Sequence, residues 1–479
     1  MEIFNLLSGD VGIAFYGQTY EIALNWIGKL IRTLLSLGSV GVGIILFSVI
    51  LRFLVLPFDV YQRITMRKQN IKMKDNKEKM EKLQKQYANN KELYNQKIME
   101  MYKENGFSMF SSCLPMILSM VIFIVAINAF NAYAQFANVE NYNTMVHAYN
   151  KGLMKYCADL KETNVLEIGD TYLVKENEKY IYYVVDKPKD ENGNAQTPDD
   201  PVAYISTTRA DKRSYYIDVV KAYENADIKT IVDEAIAAKK AQNPEVTETE
   251  KTELAQKTIK AYFQGKAQDE VIVAYENEVK GRTSFLWIKN VWAVDASYKH
   301  PVLEFASFKA EVEREDFDVP GYGKLSFSSI QNFTNVYDSD AYNDITAKLS
   351  AQKSQANGYY ILILLSIGTI LLQQVVTMRS QKEQQQYSSV DGQGASQQKM
   401  TMFIMTTMFG IFSFMYSSAF SIYMVTGNIL SIVSTFIINK LVDIVQSKKE
   451  AQAWQAQYDK RFASKRAESA KNADKKNKK

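Results

Sequence analysis

Five apolar segments, each about as long as a membrane's hydrocarbon core is thick, constrain this fold more than any other feature. They cover residues 38–57, 109–130, 359–378, 400–418 and 420–438. A membrane-spanning helix needs about 20 predominantly apolar residues. Mean hydropathy over the whole chain is only −0.23, because the charged residues lie mostly between these segments. The sequence therefore predicts an α-helical polytopic membrane protein with five transmembrane helices.

Lysine and arginine are concentrated in three of the connecting segments. Residues 60–105 contain 12 basic and 6 acidic residues, 379–399 contain 3 and 2, and 440–479 contain 12 and 5. Residues 136–357 instead carry a net charge of −9. Because cytoplasmic loops carry an excess of Lys and Arg, we expect the N-terminus and 136–357 outside the cell and the C-terminus in the cytoplasm.

The first 35 residues precede the first apolar segment. Glu2, Asp10 and the lack of a basic leader argue against a secretory signal peptide. Residues 20–35 have mixed helical periodicity with Lys29 and Arg32, which is typical of an amphipathic helix at a membrane interface. We interpret 1–35 as an outer segment with such a helix, and a signal-like role is the alternative.

Residues 60–105 predict two helices joined by a turn near 87–95. Met66, Met73, Met80 and Tyr87 recur every seven residues, which is the repeat of a coiled-coil seam. The simplest structure is a short antiparallel coiled-coil hairpin in the cytoplasm. Its methionines either pack this seam or also offer an adaptable surface to apolar or helical partners.

The connection between the second and third apolar segments is long and contains no further run of span length. Alternating apolar residues predict strands in 179–185 and 214–220, and helical periodicity predicts helices in 229–242 and 247–265. We expect an inserted extracytoplasmic α+β domain over 136–357, large enough to have its own core. It carries no recognisable nucleotide-binding or catalytic motif.

Composition argues against enzyme chemistry. The two histidines, His147 and His300, are far apart in sequence, which disfavours a metal site or an imidazole-based triad. The two cysteines, Cys113 and Cys157, fall at opposite ends of the second apolar segment and cannot pair. A Walker lysine loop is also missing from the sequence. We expect no enzyme activity, no cofactor and no metal site.

The tail, residues 441–479, is basic, and the polar composition of its end, 465–479, predicts disorder there. It is either a solubilising cytoplasmic anchor or a contact with polyanions such as ribosomal RNA or anionic lipid.

Arg52 lies inside the first apolar segment, five residues before Pro57, which we take as the end of that span. An arginine within a span costs about 2.5–3.5 kcal/mol on insertion-based scales. Snorkelling towards the headgroups is one explanation. However, Arg63 and Arg67 after the span would anchor the helix without that cost.

Polar residues in the apolar segments are candidates to line a site around this arginine. Ser48 lies one helical turn before Arg52. Two further stripes are Ser366, Thr369 and Gln373 on the third segment, and Asn428, Ser431 and Thr435 on the fifth. Because amides need hydrogen-bond partners in hydrocarbon, the stripes and the cation predict a positive, water-accessible cavity in the bundle near the cytoplasmic side.

Several stretches resemble the YidC-type (YidC/Oxa/Alb) membrane protein insertases. They are ILRFLVLPFDVYQRITMRKQ before a basic hairpin, YKENGFSMFSSCLPMILSM, SFLWIKNVW, YYILILLSIGTILLQQ and MFGIFSFMYSSAFSIYMVTGNILSIV. Their order and spacing carry the resemblance, which covers 20–135, 284–292 and 358–440.

The resemblance implies a five-helix core of the Gram-positive type, with a hydrophilic groove open to cytosol and lipid and closed on the outside. It puts core helices in 36–135 and 358–440, with an unusual insert between them, and Ser119-Met120-Val121 replaces the usual Gln-Met-Pro. The expected groove residues are Arg52, Ser48, Ser119, Gln373, Tyr423 and Asn428.

The resemblance also implies a function. Such proteins insert integral membrane proteins into the bacterial cell membrane and help them fold, alone or with the Sec translocon. The implied partners are nascent membrane proteins, the ribosome through the basic tail, the Sec translocon, the signal recognition particle pathway and membrane lipids. Two alternatives are a small-solute transporter, which would need more ionisable groups along a path, and a membrane-anchored extracytoplasmic binding protein.

Overall fold

The chain divides into two compact units. The computed structural model describes residues 9–17, 19, 22–104, 109–160, 164–208, 212–313, 317–319, 323–325, 335–380 and 393–476. One unit, which we call the α+β unit, combines Met1–Val40 with Asn131–Tyr359. The other, the helical unit, combines Gly41–Phe130 with Tyr360–Lys479.

The α-helices are numbered in chain order. They are α1 (Trp26–Leu35), α2 (Val40–Gln86), α3 (Lys91–Glu104), α4 (Met109–Met154), α5 (Pro201–Thr207), α6 (Val219–Glu224), α7 (Ala226–Gln242), α8 (Glu248–Ala274), α9 (Lys280–Thr283), α10 (Phe305–Val312), α11 (Ser339–Ile345), α12 (Ser350–Ser354), α13 (Ile361–Ser380), α14 (Gln393–Met415) and α15 (Ser418–Lys476). A π-helical turn, Tyr275–Val279, joins α8 to α9, and short 3₁₀ turns cover Asn335–Tyr337 and Ala347–Leu349.

The strands form two antiparallel sheets. They are β1 (Val11–Ile13), β2 (Asn164–Ile168), β3 (Thr171–Lys175), β4 (Ile181–Asp186), β5 (Arg213–Ile217), β6 (Phe317–Val319) and β7 (Gly323–Leu325). The larger sheet has the order β1-β5-β4-β3-β2, and β6 pairs only with β7. The strands and helices predicted between 179 and 265 are confirmed by β4, β5, α7 and α8.

Four helices in the described part of the chain are long and apolar enough to cross a membrane. They cover Val40–Asn70, Met120–Met154, Ile361–Ser380 and Ser418–Lys460. A shorter apolar helix, Thr406–Met415, lies within α14. The prediction of a mostly helical polytopic membrane protein is thus confirmed, and its count of five spans stays a prediction.

The first long helix does not end at Pro57. The end of the span at Pro57 stays a prediction; the helix itself does not end there, because α2 continues to Gln86 with the proline inside it. A proline removes one backbone N–H and therefore one helical hydrogen bond. Ending the helix there would instead leave several backbone groups without partners. The continuous helix places residues on either side of Pro57 on common faces.

A tight turn separates α2 from α3. The side chain of Asn90 accepts a hydrogen bond from the backbone N–H of Leu93 at 3.0 Å, and its carbonyl accepts from that of Tyr94 at 3.0 Å. Asparagine is a favoured N-terminal cap because its side chain replaces a missing helical acceptor. The chain therefore turns over 87–90, within the stretch where the sequence predicts a turn.

The tail is helical. The prediction of disorder for 465–479 is wrong over 465–476, where α15 continues without a break from the last apolar segment. Extending an existing helix costs far less than nucleating a new one. The tail is also rich in alanine, lysine and glutamine, which are good helix formers.

The N-terminal segment contributes an edge strand to the α+β unit, which the sequence did not predict. Val11 pairs with Ile217 and Ile13 with Tyr215, so β1 extends the sheet beside β5. The side chain of Ile13 is buried in the core of this unit. Residues 9–17 are thus part of the α+β fold.

Asp344 also holds the N-terminal segment in place. Its Oδ2 accepts hydrogen bonds from the hydroxyls of Tyr16, at 2.7 Å, and Tyr149, at 2.9 Å. Its Oδ1 accepts from Nε2 of Gln268 at 3.0 Å. Burial and the Asp344 carboxylate raise the pKa of Tyr16 far above its usual value, so this tyrosine stays a proton donor.

Two helices approach closely through small residues. A Cβ atom added to Gly152 of α4 would lie 2.8 Å from the Cα atom of Ala267 in α8. On α8, the buried residues recur at helical spacing: Ala255, Ile259, Phe263, Ala267 and Val271. Glycine at 152 therefore allows the two backbones to pack at contact distance.

Cys157 is free and buried, in agreement with the prediction that it does not pair. Burial raises the pKa of its thiol to about 12. A thiol with so high a pKa carries almost no thiolate at neutral pH and acts as a small apolar side chain.

A buried asparagine joins the SFLWIKNVW stretch to the end of the α+β unit. Nδ2 of Asn357 donates to the carbonyl oxygens of Asn290 and Val294, at 2.9 Å each. Its Oδ1 accepts from the backbone N–H of Asn290 at 2.6 Å. Every hydrogen-bonding atom of this amide group is thus used inside the protein.

The residues after Asn357 pack against a buried carboxylate. Oδ1 of Asp295 accepts from the backbone N–H of Tyr359 at 2.8 Å. A Cβ atom on Gly358 would lie 1.8 Å from that oxygen, so only glycine fits here.

Candidate functional site

The arginine of the first candidate span forms an ion pair with its own helix. Nη2 of Arg52 lies 2.5 Å from Oδ2 of Asp59, seven residues further along α2. Residues seven apart are two turns apart on one face of a helix. The side chains are 18% and 22% exposed, so the pair is largely but not fully shielded from solvent.

Serines on α2 and α15 flank this pair. Nε of Arg52 lies 3.4 Å from Oγ of Ser434, which itself donates to the carbonyl of Leu430 at 2.6 Å. Ser48 is buried and donates its hydroxyl proton to the carbonyl of Ile44 at 2.8 Å. The arginine therefore lies where α2 meets α15.

The two stripe amides join α13 to α15. Nε2 of Gln373 donates to Oγ of Ser431 at 3.0 Å, and Nδ2 of Asn428 donates to Oγ1 of Thr369 at 3.1 Å. The stripes thus face each other and are tied by reciprocal hydrogen bonds. Such bonds between membrane helices are worth about 0.6–2 kcal/mol each.

A second set of polar contacts joins α13 to α14. The hydroxyls of Ser366 and Ser413, both fully buried, lie 2.9 Å apart. The hydroxyl of Thr406 donates to Oε1 of Gln374 at 3.1 Å. Polar side chains therefore bind α13 to both α14 and α15.

Aromatic side chains occupy another level of the same helices. Phe123 of α4 lies 4.7 Å from Phe409 and 5.6 Å from Phe420, measured between ring centroids. Tyr423 is 5.7 Å from Phe130. Ser434 lies 14 residues after Phe420, or about 21 Å along α15 at 1.5 Å per residue. The aromatic level and the Arg52 level are therefore well separated along the bundle.

Two of the predicted site residues lie outside the described side chains. Ser119 belongs to α4 and Met73 to α2, and only their helical backbone is described. Met66 and Met80 are buried, at 5% and 1% exposure, and Tyr87 is partly buried.

Polar contacts join the part of α2 that follows Asp59 to α13 and α15, and join those two helices to each other. Nη1 of Arg67 lies 2.7 Å from Oδ1 of Asp443, and Nη1 of Arg63 donates to the carbonyl of Ser380 at 2.9 Å. Nδ2 of Asn439 donates to Oγ of Ser380 at 2.8 Å. We call these three contacts the hairpin latch.

Sequence reasoning did not identify Asp59, Ser434 or the hairpin latch. For Asp59 a signal exists, since a carboxylate seven residues after an arginine shares its helix face. The prediction that the span ends at Pro57, between the two residues, leaves Asp59 outside the apolar segment. For Ser434 and Asp443, the rotation of α15 against α2 decides the contact, and one helix's sequence does not contain that information.

The described ranges hold no group of three or more His, Cys, Asp or Glu side chains that could bind a metal ion. The helical unit instead offers an ion pair, amide–hydroxyl contacts and an aromatic cluster. This set can attract charge and hold helices together.

Comparison with known families decides the affiliation. The model of the 60Kd inner membrane protein family matches residues 32–173 and 271–447, which is more than half of the chain. The chain belongs to this family. The family match therefore includes α2, α13 and α15, which carry the contacts around Arg52, and leaves out 174–270 of the α+β unit.

Two bacterial relatives share part of the sequence. Over 103 residues the chain is 33% identical to the Membrane protein insertase YidC of Caldanaerobacter subterraneus subsp. tengcongensis, covering 22% of this chain and 48% of that protein. The protein of that name from Clostridium perfringens is 31% identical over 110 residues, covering 22% and 44%. The chain thus spans about half or less of the length of these relatives. No solved structure matches the chain significantly.

Proposed function

We propose that this chain is a membrane protein insertase that also helps its clients to fold. The observation that carries the proposal is the Arg52–Asp59 pair inside an apolar span, where α2 meets α15, in a family whose relatives bear that name. A charge in a span is costly and marks a functional site by default.

The proposed mechanism uses a hydrophilic groove lined by Arg52, Ser48, Ser119, Gln373, Tyr423 and Asn428. The arginine attracts a short polar segment of the incoming chain into the groove, so the segment crosses a thinned part of the bilayer. The client's apolar helix then moves against α13 and α15 into lipid. Burial of apolar surface, at about 25 cal/mol per Å², drives this step, and no nucleotide is needed.

The aromatic cluster around Phe123 and Phe420 is proposed to close the groove on the outer side. Five spans, with α14 providing the fourth, would then place the N-terminus outside and the hairpin and tail in the cytoplasm, in agreement with the Lys and Arg bias. The α+β unit would lie outside the cell. The hairpin latch would set the position of the cytoplasmic hairpin relative to the bundle.

The proposed partners follow from charge and topology. Nascent membrane proteins are the substrates, with the Sec translocon and the signal recognition particle pathway as further partners. The tail helix displays exposed lysines at 448, 449 and 460, which suit the ribosome or anionic membrane lipids.

Reconstitution tests the proposed activity directly. We expect the purified chain in liposomes to insert a short-tailed single-span client to a protease-protected state at least about tenfold more than empty liposomes, a difference of about 1.4 kcal/mol. The empty liposomes are the control for spontaneous insertion. Equal protection with and without the protein would contradict the proposal.

Deletion of the insert would not test the alternative that this chain is an extracytoplasmic binding protein. Removing 136–283 would remove β2 to β5 and α8, leaving β1 without a partner and the apolar face of α11 uncovered. Such a variant would misfold whatever the unit does.

A further inference from the structure

Arg52 of the helical unit has a carboxylate counterion, Asp59, on its own helix. We propose that Asp59 is an exchangeable resting partner of Arg52, and that a carboxylate of the incoming chain replaces it. The proposal rests on the proposed insertase function and specifies what the groove recognises. Asp59 is then a specificity-determining residue, because it sets how strongly the site favours acidic segments.

The pair forms within a single helix. Both residues lie on the continuous helix α2, and their side chains meet at 2.5 Å. The second contact of the guanidinium, to Ser434, is longer at 3.4 Å, so Asp59 is its main partner. The site is therefore neutral at rest, although it contains a cation.

Partial exposure leaves room for exchange. The two side chains keep about a fifth of their surface accessible, which differs from a sealed ion pair. A carboxylate approaching the open side of the guanidinium can take over its hydrogen bonds while Asp59 moves away. The number of ion pairs on Arg52 stays the same throughout, so neither state leaves the guanidinium unpaired, which would be costly.

The released carboxylate has a destination on its own helix. Arg63 lies four residues after Asp59, which is the spacing at which opposite charges on a helix attract each other. Arg63 now donates to the carbonyl of Ser380, and Arg67, one turn further, is paired with Asp443. Asp59 can therefore leave Arg52 without entering the apolar part of the bundle.

The proposal predicts how substrate preference depends on Asp59. In the unchanged protein, an acidic segment must displace Asp59, which offsets most of its attraction to Arg52. Acidic and neutral segments should then be handled nearly alike. Without the resident carboxylate, the guanidinium should strongly favour acidic segments.

The experiment compares two clients that differ at one position of the translocated tail, Asp in one and Asn in the other. Insertion of both is measured in phosphatidylcholine liposomes as the ratio of protected Asp client to protected Asn client. We expect a ratio near one for the unchanged chain and about tenfold higher for Asp59→Asn. Tenfold corresponds to about 1.4 kcal/mol, close to the lower end of the coupling energies measured for close charge pairs. Asp59→Glu should bring the ratio back towards one.

Two further variants control for charge. Asp443→Asn removes the acidic partner of another arginine in the helical unit, Arg67, and should leave the ratio near one. Arg52→Gln combined with Asp59→Asn should abolish the preference for the Asp client. A ratio that stays near one in Asp59→Asn, with insertion retained, would overturn the proposal and leave Asp59 as a structural counterion.

A binding measurement separates this proposal from the insertase function. The same two tail peptides, carrying a photoreactive group, are cross-linked to the chain in phosphatidylcholine nanodiscs, where no insertion is required. The Asp59→Asn variant should cross-link the Asp peptide in preference to the Asn peptide. This preference should persist when one-third of the lipid is phosphatidylglycerol. If anionic lipid abolishes it, the freed arginine binds headgroups rather than client carboxylates, and the proposal fails. If binding shows the preference but no client is ever inserted, only the insertase function fails.

Discussion

Replacement of Arg52 by alanine is expected to lower insertion of a short-tailed single-span client by at least about tenfold, which corresponds to about 1.4 kcal/mol. The reason is that the groove loses the only guanidinium that we place in it. The rate of protease protection in reconstituted liposomes measures this effect. Arg52→Lys should restore part of the activity, because an ammonium keeps the charge but not the planar set of donors. Normal insertion by Arg52→Ala would contradict the role of this residue.

A second variant separates the loss of charge from damage to the fold. Arg52→Ala takes from Asp59 its main partner, and a carboxylate that stays in place without that partner costs about 3–5 kcal/mol unless it moves towards Arg63. The double variant Arg52→Ala, Asp59→Asn removes both charges and should fold as well as the unchanged chain. If the arginine acts on clients, the double variant stays inactive, whereas recovered activity would trace the defect to the stranded aspartate.

Replacement of Asn357 by alanine should lower the free energy of unfolding of the α+β unit by about 2 kcal/mol. The buried backbone N–H of Asn290 loses its acceptor, and an unsatisfied buried group costs about 1–3 kcal/mol. The carbonyls of Asn290 and Val294 each lose one of two donors and keep the backbone N–H groups of Ala293, at 3.2 Å, and Ala296, at 2.8 Å. For a unit of roughly this size, we expect the midpoint of thermal unfolding to fall by about 4–8 °C. Fluorescence of Trp292, which is buried 4.8 Å from the ring of Tyr133, reports the transition in detergent.

Asn343 provides the matched control for this change. It is exposed, and its Nδ2 donates only to the hydroxyl of Ser339, at 3.2 Å. Asn343→Ala should therefore change the midpoint little. Equal midpoints for Asn357→Ala and Asn343→Ala would show that the buried amide does not stabilise the unit.

Local pattern determined most of the helices. A pattern that lies within a single helix can be read from the sequence alone. Such patterns are the apolar segments, the repeat through Met66 and Met80, and the periodicity of α7 and α8. β1 was not predicted because three residues carry no period, and its partner β5 lies about 200 residues away. The continuation of α2 through Pro57 does not follow from local pattern, because proline disfavours a helix interior although membrane helices tolerate it.

The candidate site was predicted in its residue types but not in its contacts. The amides Gln373 and Asn428 were singled out because amides need partners in hydrocarbon, and the structure shows hydroxyls of the opposite stripe as those partners. Which stripe faces which depends on the rotation of each helix about its axis, which packing decides. The partner of Arg52 was open to prediction, since Asp59 lies on the same face of the same helix.

Photocross-linking of a ribosome-stalled client tests the central claim most directly. Benzoylphenylalanine is placed at Tyr423, a partly buried residue of α15 with a ring of similar size, and separately at Leu54. Leu54 is two residues from Arg52 on the opposite face of α2 and is 61% exposed. If clients pass through the proposed groove, the position at Tyr423 cross-links the stalled chain and that at Leu54 does not. Equal cross-linking at both positions, or cross-linking at Leu54 alone, would contradict this route.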